Sequence, residues 1–208
     1  MGFIDEKIAA LKQSKRILEE EEKRQKKDTE SKDDEKKEMS LDEVIESIED
    51  GYLEIEKKKF EFKRKSYLGG KISLPIIESH FEEVLNNSNE IILKNRVDNV
   101  MIRCNWIREN ILLENFETLK AGIGKSLGDM DVYVEWVEEN EISKEEIVLN
   151  YDIYKTYIAE GSVCNLIFFF RNKIKDQLLV GNISYFHEDA YIWKNIIKAI
   201  INLLEINI

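Results

Sequence analysis

Gly122-Ile123-Gly124-Lys125-Ser126 is the stretch of this chain that comes nearest to a phosphate-binding loop. Such a loop needs backbone N–H groups and a lysine cradling the phosphate where a helix opens. The Walker pattern requires glycine five residues ahead of the final Gly-Lys-Ser, and Leu119 stands there. The apolar spacing around it also predicts that the stretch closes a helix, and the negative end of a helix dipole repels phosphate. Nucleotide binding is not expected.

His187-Glu188-Asp189 could form an acid/base or metal cluster, but neither His187 nor His80 has a histidine or cysteine at ligand spacing. The expectation is a polar turn with acids at a helix N-terminus. Paired carboxylates such as Glu138-Glu139 and Glu145-Glu146 are raw material for acid/base chemistry. In a chain with 42 acidic residues such pairs arise by chance, and these are expected in loops, away from an aromatic pocket that would shift a pKa. There is no Gly-x-Ser-x-Gly elbow and no evident Cys/His nucleophile pair; Cys104 and Cys164 read as reduced core residues. Trp106, Trp136 and Trp193 each continue an apolar stripe and read as core, not as sugar platforms. A non-enzyme is expected, with no catalytic residue, no metal and no cofactor.

The elements around these residues follow from periodicity. Phe3, Ile4, Ile8, Leu11 and Leu18 form an amphipathic helical stripe, marked as the partner-binding candidate. Between positions 19 and 38 only Gln25, Thr29 and Ser31 are uncharged, so this run cannot bury apolar area against its ordering entropy. Residues 1–38 are therefore assigned to a helical, highly charged arm and residues 39–208 to the folded domain. Ser40-Leu41-Asp42-Glu43 is a capping box that opens a short helix through Leu41, Val44, Ile45 and Ile48, closed by Gly51.

From Tyr52 the period becomes two. Strands through Leu53 and Ile55, then Phe60 and Phe62, lead to a Gly69-Gly70 hairpin and return through Ile72 and Leu74 to Pro75, the single proline. Ile77, Phe81, Val84 and Leu85 predict a helix ending at Asn86-Asn87-Ser88. Ile91 to Leu93 and then Val100, Ile102, Cys104 and Trp106 read as strands. Leu112, Phe116, Leu119, Ile123 and Leu127 predict a helix, followed by strands at 132–136, around 153–157, at 163–170 and at 178–186. The 163–170 run is almost continuously apolar and so should be central and covered on both faces. Trp193, Ile196, Ile197, Ile200 and Leu204 face a closing helix. The predicted fold class is α+β: an antiparallel sheet flanked by helices, an α/β/α sandwich with the charged arm at its N-terminus.

With this order in place, residues 60–206 resemble the PsbP-like (Mog-type) α/β/α sandwich superfamily. The resemblance rests on Ser66-Tyr67-Leu68-Gly69-Gly70-Lys71-Ile72-Ser73-Leu74-Pro75, on Lys94-Asn95-Arg96-Val97-Asp98-Asn99-Val100-Met101-Ile102 as a strand entry similar to that of bacterial members, and on Leu178-Leu179-Val180-Gly181-Asn182-Ile183-Ser184 leading to Trp193. It implies a non-catalytic protein-binding adaptor or chaperone of the kind that serves secretion or assembly systems. The partner would be another protein, such as a secreted effector or a second copy of the chain. The alternatives are a self-associating structural subunit and an enzyme with an unrecognised site.

A net charge of −11 disfavours nucleic acid, which selects clustered Lys and Arg. The one basic patch, Lys57-Lys58-Lys59 with Lys63, Arg64 and Lys65, reads as the guarded face of an edge strand. No apolar run reaches membrane-spanning length and no secretory leader or myristoylation pattern is read, so a cytoplasmic location without membrane insertion is expected.

Overall fold

The computed structural model describes residues 39–108, 115–144, 147–158, 161–172 and 177–207. Phe3, Ile4, Ile8, Leu11, Leu18 and the charged run lie outside them.

Ser40 opens helix α1 (Leu41–Glu49) as its sequence predicts. Its hydroxyl accepts from Glu43 N–H at 3.3 Å, and the Glu43 carboxylate accepts from Ser40 N–H at 2.8 Å. Gly51, at φ 83°, ends the helix in the left-handed region. A hairpin of β1 (Tyr52–Ile55) and β2 (Lys58–Glu61) follows, then β3 (Lys63–Tyr67) and β4 (Ile72–Ile76), joined through Leu68, Gly69 and Gly70, all at positive φ.

The expected helix through Ile77, Phe81, Val84 and Leu85 does not form. Turns follow β4, and then β5 (Glu82–Asn86) runs antiparallel to β6 (Glu90–Asn95) around an Asn87 turn whose side chain accepts from Asn89 and Glu90 N–H. The register shifts between Glu83 and Leu85, leaving Val84 as a bulge. That extra residue breaks the two-residue alternation and gives the apolar positions a spacing that mimics a helix.

Next come β7 (Val100–Arg108), α2 (Phe116–Asp129), β8 (Val134–Lys144), β9 (Ile147–Ile158), β10 (Gly161–Asn172) and β11 (Gln177–Phe186). A 3₁₀ turn at His187–Asp189 leads into α3 (Ala190–Asn202), and β12 (Glu205–Ile206) closes the order. The main sheet is seven-stranded and antiparallel, in the order β5-β6-β7-β11-β10-β9-β8. It consists of two meanders joined along β7 and β11. A three-stranded sheet, β12-β4-β3, stands beside it.

Pairing registers divide the main sheet into two faces. One carries Ile91, Leu93, Ile102, Ile153, Leu166, Phe168 and Ile183, all buried in one cluster with Trp193, Ile196 and Ile197 of α3. Helix α1 packs on α3 and adds Val44 and Ile48. The other face carries Tyr154, Ile167 and Phe169. There α2 lies across β8–β10, with Phe116 against Phe169 at a ring separation of 6.2 Å. Strand β10 is thus central and buried through 165–170, as its unbroken apolar run predicts.

Of the basic patch, Lys63, Arg64 and Lys65 lie on the edge strand β3 as expected, whereas Lys57, Lys58 and Lys59 belong to the β1–β2 hairpin. Lys65 and Lys63 pair with Glu78 at 2.9 and 3.0 Å and pull its carboxyl down to about 2. Arg64 donates to the Leu203 carbonyl and pairs with Glu205, tying β3 to the chain beyond α3.

Candidate functional site

Strand β8 forms one open edge of the main sheet, and its sequence alternates apolar residues with acids. The register shifts between Trp136 and Glu138, so Val137 bulges out. Trp136 therefore shares a face with Tyr154, Glu138 lies opposite Ile153, and Glu139 lies opposite Asp152 on the α2 side. Both edge strands of the main sheet carry such a bulge, at Val84 and Val137, which discourages indiscriminate strand pairing.

Glu138 and Glu139 are not in a loop, as the sequence suggests, but at the centre of two ion-pair clusters. On the α2 side Lys120 reaches down to the sheet. It contacts Glu139, pairs with Asp152 at 2.6 Å and lies 4.9 Å from the centroid of Trp136. Asp152 is 1% exposed. Burial is the leading influence on its carboxyl and lifts it above the usual aspartate range against the pull of Lys120. Burial also opposes the charge on Lys120, but its bonds to Asp152 and Glu139 prevail and raise its pKa. No side chain of α2 is fully buried, so this charged foot and Phe116 are principal attachments of the helix.

On the α3 side Glu138 accepts from Lys198 and from Asn140, the latter at 3.0 Å, and pairs with Lys194 at 3.6 Å. Burial alone would raise its carboxyl; the hydrogen bonds outweigh that and depress it. A depressed carboxylate contributes stability above its unfolded pKa and loses it as pH falls through the folded value. Glu138→Gln is therefore expected to lower stability at pH 7 by about 1 kcal/mol. It should also flatten the fall in melting temperature below pH 4.5, the ordinary glutamate value. A calorimetric series from pH 3 to 7 checks this; an acid limb as steep as that of the parent chain would refute it.

Above these clusters the edge is apolar at its surface. Val137 (48%) in the bulge, and Met130 (61%) and Tyr133 (45%) in the connection from α2 into β8, are exposed, and Glu135 of β8 accepts from Tyr157 at 2.6 Å. Tyr133 rests on Tyr157 at a ring separation of 5.9 Å. The combination is an open strand edge with large apolar groups and acids, supported from beneath by ion pairs. Such an edge can accept an extended segment or a basic, apolar helix of another protein.

The sequence candidates fall differently. The partner-binding set Phe3, Ile4, Ile8, Leu11 and Leu18 lies outside the described residues. Gly122 to Ser126 are interior residues of α2, with no helix N-terminus to meet a phosphate. Trp193 and Trp106 are core, whereas Trp136 is half-buried under Lys120. His187 lies in the 3₁₀ turn, and the structure brings it to Cys164, a Cys/His contact the sequence reading missed. Among the described residues no group of three or more His, Cys, Asp or Glu is placed to hold a metal, and no helix is long and apolar enough to cross a membrane.

The layers and strand order define a Mog/PsbP-like α+β sandwich. Among solved structures, the chain is similar to the Ran-binding protein Mog1p of Saccharomyces cerevisiae, at 12% identity and a TM-score of 0.50, over 71% of this chain and 96% of that one. It is also similar to cyanobacterial PsbP from Synechocystis, at 11% identity and a TM-score of 0.55, over 70% and 92%. At such identities the likeness concerns the fold. No protein-family model matches the sequence, and no curated protein does.

Proposed function

We propose that this chain is a non-catalytic protein-binding adaptor or chaperone of a bacterial secretion or assembly system, which grips its partner at the β8 edge and with the amphipathic arm. The observation that carries the reading is an acidic, open strand edge with Val137 exposed in its bulge and with Met130 and Tyr133 exposed in the connection that leads into it. The Mog/PsbP-like sandwich supports it, since one solved protein of this fold is a Ran-binding protein. Phe3, Ile4, Ile8, Leu11 and Leu18 would supply the second contact. Each large side chain offers about 1.5–3 kcal/mol on full burial, so three docked anchors outweigh the ordering of a short helix that is marginal alone.

The test is affinity purification from the source cell with quantitative mass spectrometry, using the parent chain, Ile8→Asp/Leu11→Asp and Val137→Asp. Partners captured by the parent should fall by roughly tenfold or more with each variant, a loss of about 1.4 kcal/mol, while melting temperatures stay unchanged. Retention of the same partners by both variants would remove the proposal. Light scattering on the same proteins tests the self-associating subunit, in which the arm of one copy would dock on another. A fall in melting temperature in Ile8→Asp/Leu11→Asp would instead place the arm on its own sandwich.

A further inference from the structure

Cys104 and Cys164 lie on the same face of the main sheet, on β7 and β10, in surroundings of opposite character. Cys104 is fully enclosed, and burial pushes its thiol up to about 12. Such a thiol is inert. Cys164 belongs to a polar row that the pairing registers assemble across four strands: Glu135 on β8, Lys155 on β9, Cys164 on β10 and Tyr185 on β11. His187, the first residue after β11, bridges this row. Its Nδ1 is 3.5 Å from Cys164 Sγ, and its Nε2 is 3.4 Å from Lys155 Nζ. One step along the same face, Ser162 is 4% exposed and its hydroxyl has no hydrogen-bond partner among the described residues.

These contacts favour one tautomer. A lysine ammonium has three donors and no acceptor, so Nε2 must be the ring nitrogen that accepts. Nδ1 then carries the hydrogen and directs it at the sulfur. A thiolate at Cys164 would receive this N–H bond and a second bond from the Tyr185 hydroxyl, with the Lys155 ammonium one ring away. An N–H donor and a nearby cation favour the ionised sulfur, against the cost of its burial.

The acids facing this row are engaged elsewhere. Glu135 accepts from Tyr157, and Glu138 is bonded by Lys198 and paired with Lys194. In the 3₁₀ turn, Glu188 is exposed, and the Asp189 carboxyl is raised first by its burial and then by Glu188 and Asp98, against the pull of Lys58.

We propose that Cys164 is a thiol-modification site, poised by His187 and Lys155 for oxidation by small hydroperoxides. The thiol loses its proton to solvent. The sulfur then attacks one oxygen of the hydroperoxide, an S–O bond forms, the O–O bond breaks, and hydroxide (or alkoxide) leaves to be protonated by solvent. Sulfur is oxidised by two electrons to the sulfenic acid and the peroxide is reduced. Cys164 is 3% exposed and its neighbours His187 and Lys155 are half-buried, so the reaction is limited to small reagents.

The experiment treats the full chain with hydrogen peroxide, traps sulfenic acid with dimedone and maps the adducts by mass spectrometry. Iodoacetamide alkylation rates are measured in parallel from pH 5 to 10. The adduct is expected on Cys164 and not on Cys104, and the alkylation midpoint of Cys164 should lie below the ordinary free-thiol pKa of about 8.5. His187→Ala should slow both reactions roughly tenfold, and Lys155→Met should move the midpoint upward. Lys155→Met stands as an independent arm if His187→Ala does not fold. Equal labelling of the two cysteines, no labelling of native protein, or a Cys164 rate unmoved in the folded variants would each overturn the assignment.

Discussion

Lys120→Met is expected to destabilise the domain by about 3–5 kcal/mol at pH 7, because it leaves the Asp152 carboxylate buried without its cation. At roughly 2–4 °C per kcal/mol for a chain of this size, the melting temperature should fall by about 6–20 °C. The direction with pH follows from Asp152. Its carboxyl is already raised by burial, and losing Lys120 raises it further. A group with a raised folded pKa contributes its stability below the unfolded value and loses it as pH rises through the folded value. The deficit of the variant should therefore be greatest at neutral pH and shrink on acidification, as Asp152 takes up a proton. Adding Asp152→Asn to Lys120→Met should recover a large part of the loss at pH 7. Hydrogen exchange should show α2 opening first, since no fully buried side chain anchors it. A single variant that melts within a degree or two of the parent at pH 7 would show that Lys120 and Asp152 do not form the attachment described.

The second large effect comes from a residue with no side chain. The ring of Phe168 lies directly over Gly181 across the β10–β11 pair, and a Cβ there would overlap Phe168 Cζ and Cε1. Phe168 is 1% exposed and enclosed by the core, so its ring has nowhere to go. Gly181→Ala, which ordinarily favours a strand, should here cost roughly 1–3 kcal/mol through overpacking, and Gly181→Val more. Phe168→Leu in the Gly181→Ala background should return part of the stability. Equilibrium urea unfolding of the single and double variants measures this coupling. If the two substitutions add without interaction, the ring does not occupy the glycine site.

Features encoded over a few neighbouring residues were legible in the sequence. The Ser40–Glu43 box, the left-handed stop at Gly51, the Gly69-Gly70 turn and the unbroken apolar run of β10 each have a local cause. Positions 77–85 misled because a bulge at Val84 imitates helical spacing. Nothing in one sequence marks an edge strand that carries an extra residue. The clusters around Lys120 and Glu138, and the contact between Cys164 and His187, were not legible for a different reason. They depend on which strands are neighbours and in what register, and the bulge at Val137 helps to set which acid faces which helix. Spacing along the chain holds none of that information.

The seam between β7 and β11 has a consequence for how the protein comes into being. On the ribosome β5, β6 and β7 can pair as soon as they emerge, but the strand that completes β7 is translated only after α2, β8, β9 and β10. Until then the inner edge of β7 and the apolar row Ile102, Cys104 and Trp106 stand uncovered, and α3, which seals that face, emerges later still. Closing so long a loop makes the pairing slow, and the waiting half-sheet is the species open to aggregation. Synthesis that outruns this closure should yield insoluble protein even where the finished fold is stable, and slower translation or a lower temperature should raise the soluble fraction.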